Sequence, residues 1–73
     1  MKIHIDDAVA RESRPRVERI VRDTLMGRQG AATLSVSVGR YGAGRWSVFV
    51  TGSQEHPLAI VETIRSALER ERP

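Results

Sequence analysis

Residues 33–38 (TLSVSV) and 46–51 (WSVFVT) each alternate apolar and polar side chains. Alternation with a period of two is typical of a strand with one buried side. Residues 39–44 (GRYGAG) lie between them and supply three glycines for a turn, so the sequence predicts an antiparallel hairpin. With Val38 opposite Trp46, one face carries six apolar side chains: Leu34, Val36, Val38, Trp46, Val48 and Val50. A slip of one residue would expose half of them, so we expect this face, including Trp46, to be buried against helices.

The segments before the hairpin predict a strand and a helix. Residues 2–6 (KIHID) alternate, and Ile3 and Ile5 would face the core. Pro15 is suited to the first turn of a helix because its missing N–H would be unpaired there in any case. Arg14 should lie just outside that helix, since a residue before proline avoids the helical conformation. The helical spacing predicts this buried stripe: Val17, Ile20, Val21 and Leu25.

Glycines and a proline mark the remaining boundaries. Gly27 should end the first helix. Gly52 follows the hairpin, and Pro57 suits the first turn of a second helix that Ser53 or His56 would cap. The predicted buried stripe of the second helix is Leu58, Val61, Ile64 and Leu68.

The order strand, helix, strand, strand, helix predicts a single small α+β domain over residues 1–73. A helical crossover makes the first two strands parallel. Only one sheet face has enough apolar side chains to receive helices, so we expect a two-layer βαββα sandwich, with a three-stranded mixed sheet and both helices on one face. Phe49 would then lie on the open face, which we interpret as a stacking platform or as the contact of a homodimer. Its predicted neighbours are Lys2, His4, Asp6, Ser35, Ser37, Arg45, Ser47 and Thr51.

Composition limits the classes of function. The 73 residues include no cysteine and no long apolar run, so we expect a soluble, cytoplasmic protein without a membrane segment. The net charge is +3, and eleven of the twelve basic residues are arginine. Arginine binds phosphate and carboxylate well, although a GC-rich genome would also produce this composition.

Three motifs were considered as functional sites. Residues 27–30 (GRQG) match the GxxG clamp of KH domains, but residues 31–38 read as a strand, so a helix C-cap explains the glycines better. The glycines of residues 39–44 join two strands and do not open a helix, which favours a turn over a phosphate loop. His4 and His56 have no further ligands nearby in sequence. We therefore predict no metal, no cofactor and no enzymatic activity.

Three parts of the chain together resemble the DinI-like family. They are the start Met1-Lys2-Ile3-His4-Ile5, the hairpin from Leu34-Ser35-Val36 to Ser47-Val48-Phe49-Val50, and the closing helix after Gly52. The resemblance covers most of the chain as element order and spacing. It implies a regulatory protein that binds a bacterial recombinase filament and modulates the response to DNA damage. That family uses an acidic C-terminal helix, whereas residues 54–73 carry four glutamates and three arginines here, and we carry over no functional residue.

Two hypotheses of function follow. The first is a small non-enzymatic regulatory protein that binds another protein in bacterial or phage DNA metabolism, or a phage-encoded inhibitor of a host system. The second is direct binding of nucleic acid by the hairpin tip, which would probe a groove or stack on a base, and by the first helix. The candidate binding residues are Arg16, Arg19, Arg22, Arg40, Tyr41, Arg45 and Phe49. If the arginines scatter and do not converge on one surface, the second hypothesis is weakened.

Overall fold

Three strands and two α-helices make up the fold of the computed structural model, which describes residues 1–28, 30–41, 44–52 and 57–70. In chain order the elements are β1 (Lys2–Ile5), α1 (Arg14–Leu25), β2 (Ser35–Tyr41), β3 (Arg45–Thr51) and α2 (Pro57–Arg70). Single 3-10 turns at Arg11–Ser13 and Ala31–Thr33 lead into α1 and towards β2. The second of these turns corrects the prediction that residues 31–38 are entirely extended.

The sheet has the order β1-β2-β3, with β1 parallel to β2 and β2 antiparallel to β3. The inward side chains of the strands form one core with the buried sides of α1 and α2. Both helices therefore lie on one face of a three-stranded mixed sheet, which confirms the predicted α+β sandwich. Because β1 and β2 are parallel, α1 begins and α2 ends at the same end of the sheet as the hairpin turn.

The predicted hairpin register is wrong by two residues. Val38 lies opposite Val48, and Trp46 lies opposite Arg40. The strands continue to the pair Tyr41 and Arg45, so part of the segment predicted as a turn belongs to β2. A shift of two residues leaves every side chain on its predicted face, because strand side chains alternate. The longer ladder adds backbone hydrogen bonds, and a short connection that ends on Gly44, with φ +82°, suffices to close it.

Trp46 is half-buried, which corrects the prediction of full burial. Its ring packs at the margin of the core. The Arg40 guanidinium carbon lies 4.5 Å from the ring centroid and covers part of the indole in a cation–π contact. The register explains the difference, because Trp46 pairs with Arg40, two residues nearer the hairpin turn on β2 than its predicted partner Val38.

The stripe of α1 is buried as predicted, since Val17, Ile20, Val21 and Leu25 all belong to the core. Arg14, however, lies inside the helix, with φ −60° and ψ −44°. Its side chain fixes the preceding loop: Nε donates a hydrogen bond to the Val9 carbonyl at 3.0 Å, and Nη2 lies 3.4 Å from the Asp7 carbonyl. These contacts, together with the 3-10 turn that runs straight into α1, hold Arg14 helical although Pro15 follows it.

The predicted stripe of α2 is partly wrong. Ile64 and Leu68 are buried, but Val61 is half-buried and Leu58 is 64% exposed. Ile60 and Ala67 complete the buried side in their place. Positions 60, 64, 67 and 68 also follow helical spacing, so the sequence is compatible with two different buried sides of this helix. The cap residues proposed for α2, Ser53 and His56, lie outside the described residues.

Two turns meet at the end of the sheet opposite the hairpin turn. Gly27 and Gly30 both have φ near +80° and lead from α1 towards β2, as predicted. Gly52, which follows β3, has φ +80° and lies against the Thr33 backbone. The Thr33 hydroxyl lies 2.9 Å from the Gly30 carbonyl oxygen and 3.2 Å from that of Gly52. One threonine thus links the connection before β2 to the connection after β3.

Candidate interaction surface

The side of the sheet that faces away from the helices, here called the outer face, is open. Phe49 lies on it and is 65% exposed, which confirms the predicted placement. Along the sheet, Phe49 is paired with Ser37, and Ser37 is paired with His4 on β1. The small hydroxylated side chains of the face are Ser35, Ser37, Ser47 and Thr51. The aromatic ring therefore stands among small polar side chains.

Tyr41 lies on the same outer face, and the sequence did not predict this. The longer β2 places it opposite Arg45, where it is 53% exposed. Arg45 and Phe49 are four residues apart on β3, which corresponds to about 13 Å along the strand. Two aromatic side chains with an arginine beside one of them thus lie along one face of the sheet.

The outer face carries two cationic side chains, Lys2 on β1 and Arg45 at the start of β3, and both are exposed. His4 is also exposed on β1. Asp6 follows β1 at the same edge and is exposed. The face can therefore hold a small number of anionic groups beside its aromatic rings.

A second small basic site lies at the hairpin end, where the margin of the outer face meets the helix side. Arg40 covers Trp46 there and points its Nε at the Gly44 carbonyl oxygen, 3.3 Å away. A groove of about 220 Å³ lies beside it. Its lining residues are Tyr41, Arg45, Trp46, Arg65 and Glu69. Arg65 was not among the predicted site residues, because it comes from α2 and its local pattern is that of an ordinary solvated helix position.

The arginines of α1 are placed apart from this hairpin site. Arg19 lines a groove of about 410 Å³ between the two helices, together with Asp23 and Arg70. Arg22 is exposed and pairs with Glu18 at 3.5 Å, and Arg16 is exposed. None of the described contacts joins these three arginines to Arg40 or Arg45. The predicted set therefore divides, with Arg40, Tyr41 and Arg45 together and the α1 arginines elsewhere.

Within ranges 1–28, 30–41, 44–52 and 57–70, no three His, Asp or Glu side chains come close enough to hold a metal ion. Neither of the helices in those ranges is long and apolar enough to cross a bilayer.

Comparison with known proteins gives no matching family model, curated protein or solved structure. The resemblance to the DinI-like family therefore stays a prediction.

Proposed function

We propose that the protein is a non-enzymatic binding protein whose outer face binds single-stranded nucleic acid. The observation that carries the proposal is the presence of Tyr41 and Phe49, both more than half exposed, on the same open sheet face. An exposed aromatic ring on a sheet is the usual platform for an unpaired base, because every base has a π-face. The spacing of about 13 Å along the strand is large enough for the two rings to hold different bases.

The charges on the same face support this proposal. Arg45 is paired with Tyr41, so a phosphate next to a base stacked on Tyr41 lies within reach of a guanidinium. Lys2 and His4 lie at the other side of the sheet, on β1. The small side chains between them leave room for a sugar–phosphate chain to cross the sheet.

The proposed mode keeps one of the two alternatives predicted from the sequence. The hairpin tip was expected to probe a groove or to stack on a base, together with the arginines of α1, and these arginines lie apart from the tip. A flat face with exposed rings favours unpaired bases, since stacking requires a base that is free of its own duplex. We therefore propose single strands as the ligand in preference to duplex DNA.

Binding of a protein partner, the first hypothesis, remains the second candidate. The exposed Phe49 ring favours it as well, because aromatic and arginine side chains are enriched at protein interfaces. The two candidates differ in how they respond to salt and to competitor oligonucleotide.

The test is fluorescence anisotropy with labelled single-stranded and duplex oligonucleotides of one sequence. We expect the single strand to bind more tightly than the duplex. With two or three phosphate contacts, log K should fall against log[salt] with a slope between about −1.4 and −2. An absence of binding to either oligonucleotide at low salt would refute the proposal and leave the protein-binding hypothesis.

A pair of variants tests the face itself. Phe49→Ser should weaken single-strand binding by about 5- to 150-fold, which corresponds to about 1–3 kcal/mol for one stacked base. Met26→Ser is the matched control, because Met26 is 74% exposed at the end of α1, away from the sheet face. Equal affinities for the two variants would exclude the outer face as the binding surface, even if the protein does bind oligonucleotides.

A further inference from the structure

The free edge of β3 carries unpaired backbone groups. The backbone amides of Lys2 and Asp6 donate hydrogen bonds to the carbonyls of Leu34 and Val38 at 3.0 and 2.8 Å. The even-numbered residues of β2 therefore direct their backbone N–H and C=O groups towards β1. The odd-numbered residues of β2 therefore bond to their odd-numbered partners on β3. It follows that the even-numbered residues of β3, Trp46, Val48 and Val50, direct their N–H and C=O groups away from β2. No other described strand pairs with that edge.

This edge lacks the features that usually prevent strands from pairing between molecules. Exposed edges are commonly short, or carry lysine, proline or a bulge. The other edge strand, β1, has four residues and includes Lys2. By contrast, β3 has seven residues without lysine or proline, and its pairing with β2 is continuous. Of the two edges, β3 is the one that can accept another strand.

Apolar side chains flank the β3 edge on both faces of the sheet. Phe49 lies on the outer face. On the helix side, Arg65 and Glu69 of α2 line the groove at the hairpin end together with Trp46. Ala67 and Arg70 instead line the groove between α2 and α1. Leu58 and Val61 lie seven and four residues before Arg65 on α2, which places them on the same side of the helix, so they face the β3 edge and not α1. Leu58 is 64% exposed there.

We propose that the β3 edge pairs with β3 of a second copy of this chain, in antiparallel orientation. With the two-fold axis at Val48, the two Val48 residues exchange both backbone hydrogen bonds, and Trp46 does the same with Val50 of the other copy. The result is a continuous six-stranded sheet. The two Phe49 rings become diagonal neighbours across the axis on the outer face, and Leu58 and Val61 of the two α2 helices meet on the helix side.

Symmetry favours a second copy over an unrelated strand. In the antiparallel arrangement the two Arg45 side chains lie at opposite ends of the paired strands, so the charges at the ends of β3 do not meet. On α2 the exposed charges near this edge alternate in sign, with Arg65 bridged to Glu62 at 3.6 Å and followed by Glu69. Two such helices in antiparallel orientation present both signs to each other. The edge is therefore complementary to itself in backbone, apolar contacts and charge.

The size of the contact indicates a reversible dimer. The total accessible surface of the chain is 5111 Å². The exposed parts of Phe49, Leu58, Trp46 and Val61 with the strand backbone amount to roughly 400 Å² per chain, about half of what a standard stable interface buries on each partner. We therefore expect dissociation constants on the order of 100 µM.

Amide hydrogen exchange by NMR tests the proposal with the protein alone. For a dissociation constant of about 100 µM, the monomer fraction falls about fourfold between about 20 µM and 1 mM chain. Exchange of the Val48 and Val50 amides should slow by the same factor. The Ser47 and Phe49 amides, which bond to β2, serve as internal controls and should be equally protected at both concentrations. Unchanged exchange of Val48 and Val50 would overturn the proposal.

Sedimentation equilibrium of two charge variants supplies an independent test. The average mass of the unmodified chain should rise from about 1.2 to about 1.8 times the 8.1 kDa of one chain over the same concentrations. Leu58→Glu places a charge beside the paired helices and should keep the chain monomeric, whereas Met26→Glu should dimerise as the unmodified chain does. A rise in mass that Leu58→Glu does not reduce, or that leaves the Val48 amide unprotected, would show a different interface and refute the proposal. Oligonucleotide binding plays no part in either experiment, so the dimer stands or falls separately from the proposed function.

Discussion

Gly52→Ala is expected to be far more destabilising than the same substitution at a glycine with the same left-handed backbone conformation. Gly52 has φ +80°, and a Cβ added there would overlap the carbonyl oxygen of Thr33 and lie 3.3 Å from the Thr33 carbonyl carbon. Gly27 has φ +80° as well, but its added Cβ meets nothing within 4 Å. The two substitutions share the cost of the left-handed conformation and differ only in the overlap.

The expected magnitudes follow from these two terms. An alanine in the left-handed region costs about 1–2 kcal/mol, and this is the whole cost at Gly27. At Gly52 the overlap is with backbone atoms that cannot rotate away, so a displacement of the connection adds about 1–3 kcal/mol. Each kcal/mol lowers the melting temperature of a domain of this size by about 4–8 °C.

Thermal unfolding followed by circular dichroism measures both variants. We expect Gly52→Ala to lower the melting temperature by about twice as many degrees as Gly27→Ala does. The decrease for Gly30→Ala should be close to that for Gly27→Ala. If Gly52→Ala is no less stable than Gly27→Ala, the approach of the two connections is not rigid. The inference that Thr33 and Gly52 fix the end of the sheet would then be wrong.

Four further substitutions test the packing. Trp46→Ala should cost about 2 kcal/mol in urea unfolding, less than the roughly 3–5 kcal/mol for a fully buried tryptophan, because the ring is only half-buried; complete unfolding would contradict that burial. Ile64→Ala should lower the free energy of unfolding by about 2–5 kcal/mol and Leu58→Ala by less than about 0.5 kcal/mol. Similar losses for the two variants would contradict the burial of the Ile64 side of α2. Arg14→Ala should cost about 1–2 kcal/mol by removing the donor to the Val9 carbonyl, and a neutral result in thermal unfolding would show that this contact does not hold the loop.

The sequence predicted the faces of the strands but not the hairpin register. Val36, Val38, Val48 and Val50 lie inward in any register that is shifted by two residues, because side chains alternate along a strand. Hydrophobic pattern therefore could not distinguish the predicted register from the observed one. The choice depends on how few residues the glycine-rich turn needs, and residues 39–44 contain several glycines at which it could close.

The candidate surface depended on that undetermined register. Tyr41 belongs to the outer face only because β2 extends to it, so its position beside Arg45 could not be predicted from the pattern alone. Phe49, in the middle of its strand, was placed correctly because its neighbours fix its direction. In α2, Leu58 and Ile60 are both apolar and both fit a helical stripe, and only packing against β3 and α1 selects Ile60.

The contact between Arg40 and Trp46 also gives the chain an internal spectroscopic reporter. Trp46 is the single tryptophan, and its ring lies at the hairpin end on the side of the sheet opposite Phe49. Indole emission responds to a nearby cation and to solvent access, so departure of the Arg40 guanidinium from its position 4.5 Å from the ring centroid changes the emission spectrum. Opening of the hairpin end can therefore be followed in the unlabelled chain, while a ligand held only at Phe49 leaves the same signal nearly constant.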